Sequence, residues 1–156
     1  MILEGILLAA AAIVSILSLI ATPKDKLLQM QFILFLVQVP TWLLGLTMVE
    51  FGLLEYPYRE LASVNRTSFI FEYIVFPVIC VHVNNYFPWQ ATPFLKTIYL
   101  ATIGLLLTGF EFMLEHYTML IKYTGWQWYW TWGSEVLIFG LTQKTVAWFF
   151  RLHDKQ

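Results

Sequence analysis

Two carboxylates and an imidazole fall close together in the apolar stretch TIYLATIGLLLTGFEFMLEHYTMLI, residues 97–121. Glu111 and Glu115 are four residues apart, and His116 follows directly. In a helix this spacing places both carboxylates on one face. A charged Glu at bilayer depth costs roughly 2.5 to 3.5 kcal/mol, so that face must turn toward other helices, water or a ligand. These residue types fit a proton or cation site, or a general acid beside a base.

Glu111 is the deepest acid of this stretch, and it has two interpretations. Burial and the neighbouring Glu115 both oppose its ionisation, which favours a proton site, a cation site or a general acid. The structural alternative is a hydrogen bond between helices, or an ion pair with Arg59, Arg66 or Lys122. The residues alone leave both interpretations open.

The composition is that of a membrane protein. Of the 156 residues, 59% are hydrophobic and 12% are charged, whereas a soluble domain has about 25% charged residues. A net charge of -1 without a basic cluster excludes a nucleic-acid partner. The single cysteine, Cys80, offers neither a disulfide nor a CxxC redox pair.

The elements that must position these acids are membrane-spanning helices. At roughly 20 apolar residues per span, the chain predicts an all-α, polytopic integral membrane bundle of about five transmembrane helices. The whole chain, residues 1–156, forms one transmembrane domain in this interpretation. The spans are predicted at residues 2–21, 27–54, 68–87, 97–121 and 133–150. The N-terminal segment lacks a basic leader, so it is expected to be retained as the first span.

An odd number of crossings decides which groups share a side of the membrane. The N-terminus, the loop at residues 55–67 and the Trp-rich segment at residues 122–132 fall on one side. The Lys and Arg count is three on that side and five on the other, which favours an outside N-terminus and a cytoplasmic C-terminus. The same arrangement collects six glutamates in one membrane half, namely Glu4, Glu50, Glu72, Glu111, Glu115 and Glu135.

We therefore predict an acidic pocket within the membrane. Its candidate ligand-binding residues are Glu111, Glu115, His116, Glu72, Glu135 and Glu50. No residue is assigned a catalytic or metal-binding role, and no cofactor can be read from the residues. A metal held by both His82 and His116 is unfavourable, because their predicted depths differ by roughly 20 Å at 1.5 Å per residue. A zinc site of His116 with Glu115 and Glu135 stays open.

The Trp-rich segment also has two interpretations. Four tryptophans and two tyrosines fall within residues 122–132. Such rings favour the headgroup level of a bilayer, which predicts an interfacial anchor. Alternatively the segment is a lid over the acidic pocket, where aromatic faces bind a lipid headgroup or a cationic amphiphile.

Three stretches resemble a known family. They are EYIVFPVICVHVNNYFP at residues 72–88, LTGFEFMLEHYTMLIKYTGWQWYW at residues 107–130, and AWFFRL at residues 147–152. Together they are similar to small multi-span membrane proteins of spore-forming Gram-positive bacteria, a family with no assigned activity. The resemblance implies a bacterial plasma membrane and about five helices. It supplies no catalytic residue.

Three functions remain open at this point. The first is a non-enzymatic membrane protein that binds a cation or a lipid-like molecule among the membrane lipids, alone or within a homo- or hetero-oligomer. The second is a small intramembrane enzyme acting on a lipid, with Glu111 as acid and His116 as base. The absence of HExxH, GxSxG and Walker motifs favours the first over the second. The third is a proton-coupled carrier, with helices broken at Pro40 and Pro77 beside the site.

Overall fold

The computed structural model describes residues 2–150, which form a bundle of α-helices. The five α-helices are α1 (Ile2–Ile20), α2 (Leu27–Glu50), α3 (Phe76–Asn85), α4 (Pro93–Tyr117) and α5 (Trp128–Phe149). A 3-10 turn, Lys24–Lys26, leads into α2, and a π-helical segment, Phe71–Val75, leads into α3. Two short strands complete the described chain, β1 (Leu54–Glu55) and β2 (Lys122–Tyr123). The predicted helical fold class is confirmed.

Three helical segments of the described chain are long and apolar enough to cross a membrane. They are Ile2–Ile20, Lys24–Glu50 and Pro93–Tyr117, with mean hydropathies of 2.4, 2.0 and 1.6 in their apolar windows. Large apolar side chains are exposed on the outer faces of these helices, including Ile13, Val14, Leu17, Phe35, Leu106 and Phe110. The crossings predicted through α3 and α5 stay a prediction.

Helix α4 begins and ends four residues earlier than predicted. It runs over Pro93–Tyr117 instead of residues 97–121. Thr92 caps its start, because its side-chain oxygen accepts a hydrogen bond from the backbone N–H of Leu95 at 3.4 Å. Pro93 suits the first helical position, where a backbone N–H would have no partner within the helix. The early end places Glu115 in the last turn of the helix.

The other boundaries also differ from the prediction. Helix α2 ends at Glu50 and not at residue 54, because Gly52 adopts a positive φ of 67°, the conformation that terminates many helices. The N–H of Leu53 then bonds the carbonyl of Met48 at 2.9 Å. Helix α5 starts at Trp128, five residues before the predicted span, so the end of the Trp-rich segment is helical.

Helix α3 lies in the middle of the bundle. It packs against α1, α2 and α5, whereas α4 packs mainly on α5. Most of its side chains are buried, including Cys80. The ring of Phe76 stacks on Phe139 of α5 with the two centroids 5.8 Å apart. These rings belong to the main apolar core of the described chain.

Pro77 explains how α2 holds the π-helical segment. A proline has no N–H, so the carbonyls four and five residues before it lose their helical donor. Those carbonyls belong to Tyr73 and Glu72. A side chain of α2 supplies a donor in its place: Gln38 donates to the Tyr73 carbonyl at 3.0 Å. The hydroxyl of Thr41 lies 3.4 Å from the Glu72 carbonyl and closer, at 2.9 Å, to the Val37 carbonyl of its own helix.

The strands join two connections at one end of the bundle. β1 and β2 pair antiparallel, with Leu54 opposite Tyr123. The carbonyl of Leu53 accepts the backbone N–H groups of residues 124–126, each at 3.1 Å. The hydroxyl of Thr124 donates to the carbonyl of Gly52 at 2.7 Å. We call this paired region, residues 51–58 and 118–127, the cap.

Candidate functional site

Three of the predicted acids line one cavity below the cap. Glu72 of the π-helical segment, Glu111 of α4 and Glu135 of α5 border a space of about 80 Å³. Their residues are 7%, 8% and 4% exposed. The rest of the lining is mainly apolar or aromatic and includes Leu44, Met48, Phe71, Phe76, Trp126 and Ile138. Among residues 2–150, no Lys, Arg or His borders this cavity.

Glu111 is held by donors from the cap and from α5. The phenol of Tyr123 donates to its Oε1 at 2.5 Å, and the hydroxyl of Thr131 donates to the same oxygen at 3.1 Å. The indole N–H of Trp126 donates in turn to Thr131 Oγ1 at 2.8 Å. The Thr131 bond is a hydrogen bond between α4 and α5, the contact that the structural interpretation predicted, and the functional interpretation stays a prediction.

Glu72 and Glu135 each have one hydroxyl partner. The phenol of Tyr56 donates to Oε1 of Glu72 at 3.3 Å, and the hydroxyl of Thr108 donates to Oε2 of Glu135 at 2.9 Å. Gly45 of α2 lies against Glu72, since a Cβ atom at this glycine would be 2.6 Å from Oε1. The carboxyl of Glu72 thus occupies space that is free only because residue 45 is a glycine.

The two phenols of the cap remain protonated donors at neutral pH. Burial raises the pKa of Tyr56 well above its ordinary value, and the carboxyls of Glu72 and Glu111 raise it further. Burial also raises the pKa of Tyr123, and its hydrogen bond and proximity to Glu111 add to that rise. Ionising either phenol would place a second negative group beside the acids, which the apolar surroundings oppose.

Each of the three carboxyls keeps one oxygen without a donor among the residues the structure describes. Tyr123 and Thr131 both bond Oε1 of Glu111, Tyr56 bonds only Oε1 of Glu72, and Thr108 bonds only Oε2 of Glu135. An isolated buried carboxylate is strongly unfavourable unless a proton or a cation neutralises it. The cavity therefore presents three acceptor groups to a positively charged occupant.

The structure does not bring Glu115, His116 and Glu50 to this cavity, which corrects the predicted site. The carboxyl of Glu115 lies 4.0 Å from Nζ of Lys122, and that ammonium also donates to the Glu115 backbone carbonyl. Glu50 pairs with Arg66 at 2.6 Å, and both side chains are more than 60% exposed. His116 is exposed in the last turn of α4. All three lie at helix ends, beyond the acidic cavity.

The cations expected as partners of Glu111 bind elsewhere. Arg59 donates to the backbone carbonyls of Asn65 and Tyr56, at 2.9 and 2.8 Å. Arg66 and Lys122 have the partners given above. An ion pair that would neutralise Glu111 from within the described chain is therefore not present.

No metal-binding group is assembled within residues 2–150. No three His, Cys, Asp or Glu side chains are placed to hold a metal ion there. The open zinc set of His116, Glu115 and Glu135 is wrong, because only Glu135 reaches the cavity. His82 lies in α3, where its Nε2 is 3.0 Å from the hydroxyl of Ser18.

A separate polar network occupies the other half of the bundle. The side chain of Asn84 is fully buried and accepts a hydrogen bond from Nε2 of Gln29. Its Nδ2 donates to Oε1 of Gln143 at 3.0 Å. Nε2 of Gln143 is buried without a partner in the described part of the chain. This network joins α2, α3 and α5.

Comparison with known proteins leaves the site to be judged on its geometry. No protein-family model matches this chain, and no curated protein or solved structure matches it either. The resemblance to small multi-span proteins of spore-forming bacteria therefore stays a prediction.

Proposed function

We propose that the protein is a non-enzymatic membrane protein that binds an organic cation in the cavity formed by Glu72, Glu111 and Glu135. The observation that carries this proposal is the set of three buried carboxyls, each with an oxygen free of donors among the described residues. In an apolar enclosure a cation would neutralise them and supply the missing hydrogen bonds.

The lining favours an ammonium group over a metal ion. Aromatic side chains from three elements border the cavity, namely Phe71, Phe76, Tyr56 and Trp126. Ring faces attract organic cations, and such contacts strengthen when water is excluded. A metal ion would require a tight group of ligands, and no such group is assembled in residues 2–150. A compact ammonium head also suits a space of about 80 Å³.

The proposed setting is a bacterial plasma membrane crossed five times, with the N-terminus outside and the C-terminus in the cytoplasm. Three apolar helices and the exposed apolar side chains on their outer faces support insertion. Helices α3 and α5 would provide the other two crossings. Membrane lipids are then the immediate neighbours, and a homo- or hetero-oligomer is compatible with the exposed faces.

Binding of methylammonium to the purified protein in nanodiscs, measured by calorimetry, tests this proposal. Glu111→Gln keeps the shape of the side chain and removes its charge, so we expect binding at least tenfold weaker. Glu50→Gln is the matched control, because this exposed glutamate pairs with Arg66 away from the cavity. Wild-type protein that binds no ammonium between pH 6 and 9, or Glu111→Gln that binds as tightly as wild type, would contradict the proposal.

A proton-coupled carrier is the second candidate, and one observation favours it. Glu72 lies in a π-helical segment that ends one residue before the Phe76–Pro77 start of α3. The chain is helical without a break from residue 69 to residue 85, and π-helical turns inside helices occur frequently at functional sites. Helix α2 likewise continues through Pro40, so neither proline breaks its helix as the carrier hypothesis predicted. Uptake of labelled methylammonium into vesicles, driven by a pH gradient and lost in Glu72→Gln, would distinguish a carrier from a simple binding protein.

The enzyme hypothesis loses its proposed base. It requires a proton transfer between Glu111 and His116 around one substrate. The carboxyl of Glu111 borders the cavity, whereas His116 is exposed outside it. The lining contains no imidazole, lysine or cysteine among the described residues, so the acid–base pair proposed for the enzyme is not assembled there.

A further inference from the structure

A second, apolar groove lies beside the acidic cavity. It runs between α1, the π-helical segment and α4, is partly open, and has an inner volume of about 80 Å³. Its apolar lining includes Leu7, Leu8, Ala11, Phe110, Leu114 and Leu120. Helix α1 packs on the π-helical segment and on α3, while α4 packs mainly on α5. The groove is therefore the gap that remains between α1 and α4, which pack on different neighbours.

The groove and the cavity meet at shared side chains. Tyr56, Phe71, Glu111 and Ile121 border both spaces. Glu111 therefore borders both spaces, with the Thr131 hydroxyl in the lining of the cavity and mainly apolar side chains in the lining of the groove. A molecule whose positively charged end lies at Glu111 can place its apolar end in the groove. The charge then lies near carboxyls and the hydrocarbon lies near apolar side chains, which is favourable for both ends.

We infer that the cation is the head of a single-chain amphiphile, an alkylammonium whose hydrocarbon chain occupies the groove between α1 and α4. This inference rests on the proposed binding of a cation in the cavity. Charge complementarity selects the head, because three carboxyls line the cavity and no cationic side chain of the described residues does. Glu111 also borders the apolar groove, and this shared position selects the chain.

The position of the groove gives such a ligand a route from the membrane. Leu7 and Ala11 lie in α1, and Phe110 and Leu114 lie in α4, two helices with the length and hydropathy of membrane spans. Phe110 is 54% exposed on the outer surface. An amphiphile dissolved in the bilayer reaches the groove sideways, with its head at the depth of Glu111.

Ala11 allows the groove to be filled without changing an acid. Decylammonium and methylammonium are compared for wild type, Ala11→Phe and Ala10→Phe in identical nanodiscs. Ala10 is an exposed neighbour on the same helix that does not border the groove. Partition of the ligand into the bilayer is equal for all variants, so the ratio of affinities isolates the groove. We expect Ala11→Phe to weaken decylammonium at least fivefold and to leave methylammonium unchanged, and Ala10→Phe to change neither.

Labelling provides a readout that does not depend on the folding of a variant. A decylammonium with a terminal photoreactive diazirine is irradiated with the wild-type protein, and the labelled residues are mapped. Labels within residues 7–11 and 110–114 support the inference. Labels confined to exposed positions such as Ile13 and Leu106 would overturn it.

The possible failures are distinguishable. If no ammonium of any length binds, the proposed function fails and this inference fails with it. If methylammonium binds but Ala11→Phe leaves decylammonium unaffected, only the groove assignment is wrong. Decanol that competes as well as decylammonium would also overturn the inference, because the carboxyls would then contribute nothing to recognition.

Discussion

A methyl group on Gly45 would lie 2.6 Å from Oε1 of Glu72 and 3.2 Å from its Cδ. Gly45→Ala therefore forces the buried carboxyl to move or α2 to shift. The displaced atoms are the end of a flexible side chain, and alanine gains about 0.8–1 kcal/mol over glycine in a helix. We therefore expect overpacking to leave a net loss of about 0–2 kcal/mol of unfolding free energy. Denaturant or thermal unfolding in a mild detergent measures the loss.

Gly109→Ala is the matched control, because nothing lies within 4 Å of the added carbon. An alanine in a helix is favoured over glycine by about 0.8–1 kcal/mol, so this variant should be equal to or slightly more stable than wild type. The double variant Gly45→Ala/Glu72→Ala should show a smaller penalty than the sum of its single variants. A strictly additive result would mean that the two side chains do not compete for space.

Tyr123→Phe removes the shortest donor to Glu111 and the contact of that phenol with Thr131. Leaving a buried acceptor with one donor fewer costs about 1–3 kcal/mol. We expect a lower unfolding temperature and weaker ammonium binding in the same variant. Tyr129→Phe, at an exposed position, should change neither quantity. Equal behaviour of the two variants would show that the Tyr123 hydrogen bond is energetically unimportant.

The cap phenols predict how stability depends on alkaline pH. The pKa values of Tyr56 and Tyr123 are raised in the folded protein, while an unfolded tyrosine titrates near pH 10. Above about pH 10 the unfolded chain releases protons that the folded chain retains, so stability should fall as pH rises. Tyr56→Phe/Tyr123→Phe should flatten this fall, and Tyr86→Phe should not. Tyrosine absorbance and unfolding temperature between pH 8 and 11.5 provide the measurement.

The exposed pair of Glu50 and Arg66 should contribute little, although its atoms are 2.6 Å apart. Exposed ion pairs give about 0–1 kcal/mol, because solvent and salt screen them. We expect Arg66→Gln to lower the unfolding temperature only slightly, and less still in 0.5 M NaCl. A loss above 2 kcal/mol that persists in high salt would show that Arg66 acts through more than this pair.

Asn84 should be the most sensitive polar residue outside the cavity. Asn84→Leu would remove the partner of Gln29 and of Gln143 Oε1 in a site that is fully buried. Because Nε2 of Gln29 and Oε1 of Gln143 would both lose their partner, we expect a loss of roughly 2–4 kcal/mol of unfolding free energy. Asn85→Leu, at a half-buried position next in sequence, should cost much less. Unfolding curves of the two variants decide the point.

The predicted order of spans gathers the glutamates at one end of the bundle, and the structure places three of them, Glu72, Glu111 and Glu135, around one cavity. Glu115 and His116 were also predicted to line this pocket, but neither residue borders the cavity. The i, i+4 spacing puts Glu111 and Glu115 on one face, but Glu115 lies in the last turn beside Lys122. Both residues lie about one turn beyond Glu111 toward the end of α4, and the spacing in the sequence does not indicate that the cavity stops at Glu111.

The hydroxyl donors were missed for two different reasons. Thr131 is four residues before Glu135, a spacing that indicates a shared helix face, but the predicted span began only after it. Tyr56 and Tyr123 reach the acids only because β1 pairs with β2. That contact joins residues far apart in a chain whose strands are two residues long, too short for a periodic pattern.

The π-helical segment Phe71–Val75 makes the cavity sensitive to the deletion of a single residue. A π turn holds one residue more than an α turn, so removing one residue there would restore an ordinary helix. Everything before the deletion would then rotate by about 100° relative to α3. The carboxyl of Glu72 would swing away from Gly45, and the cavity would lose an acid without the substitution of any side chain.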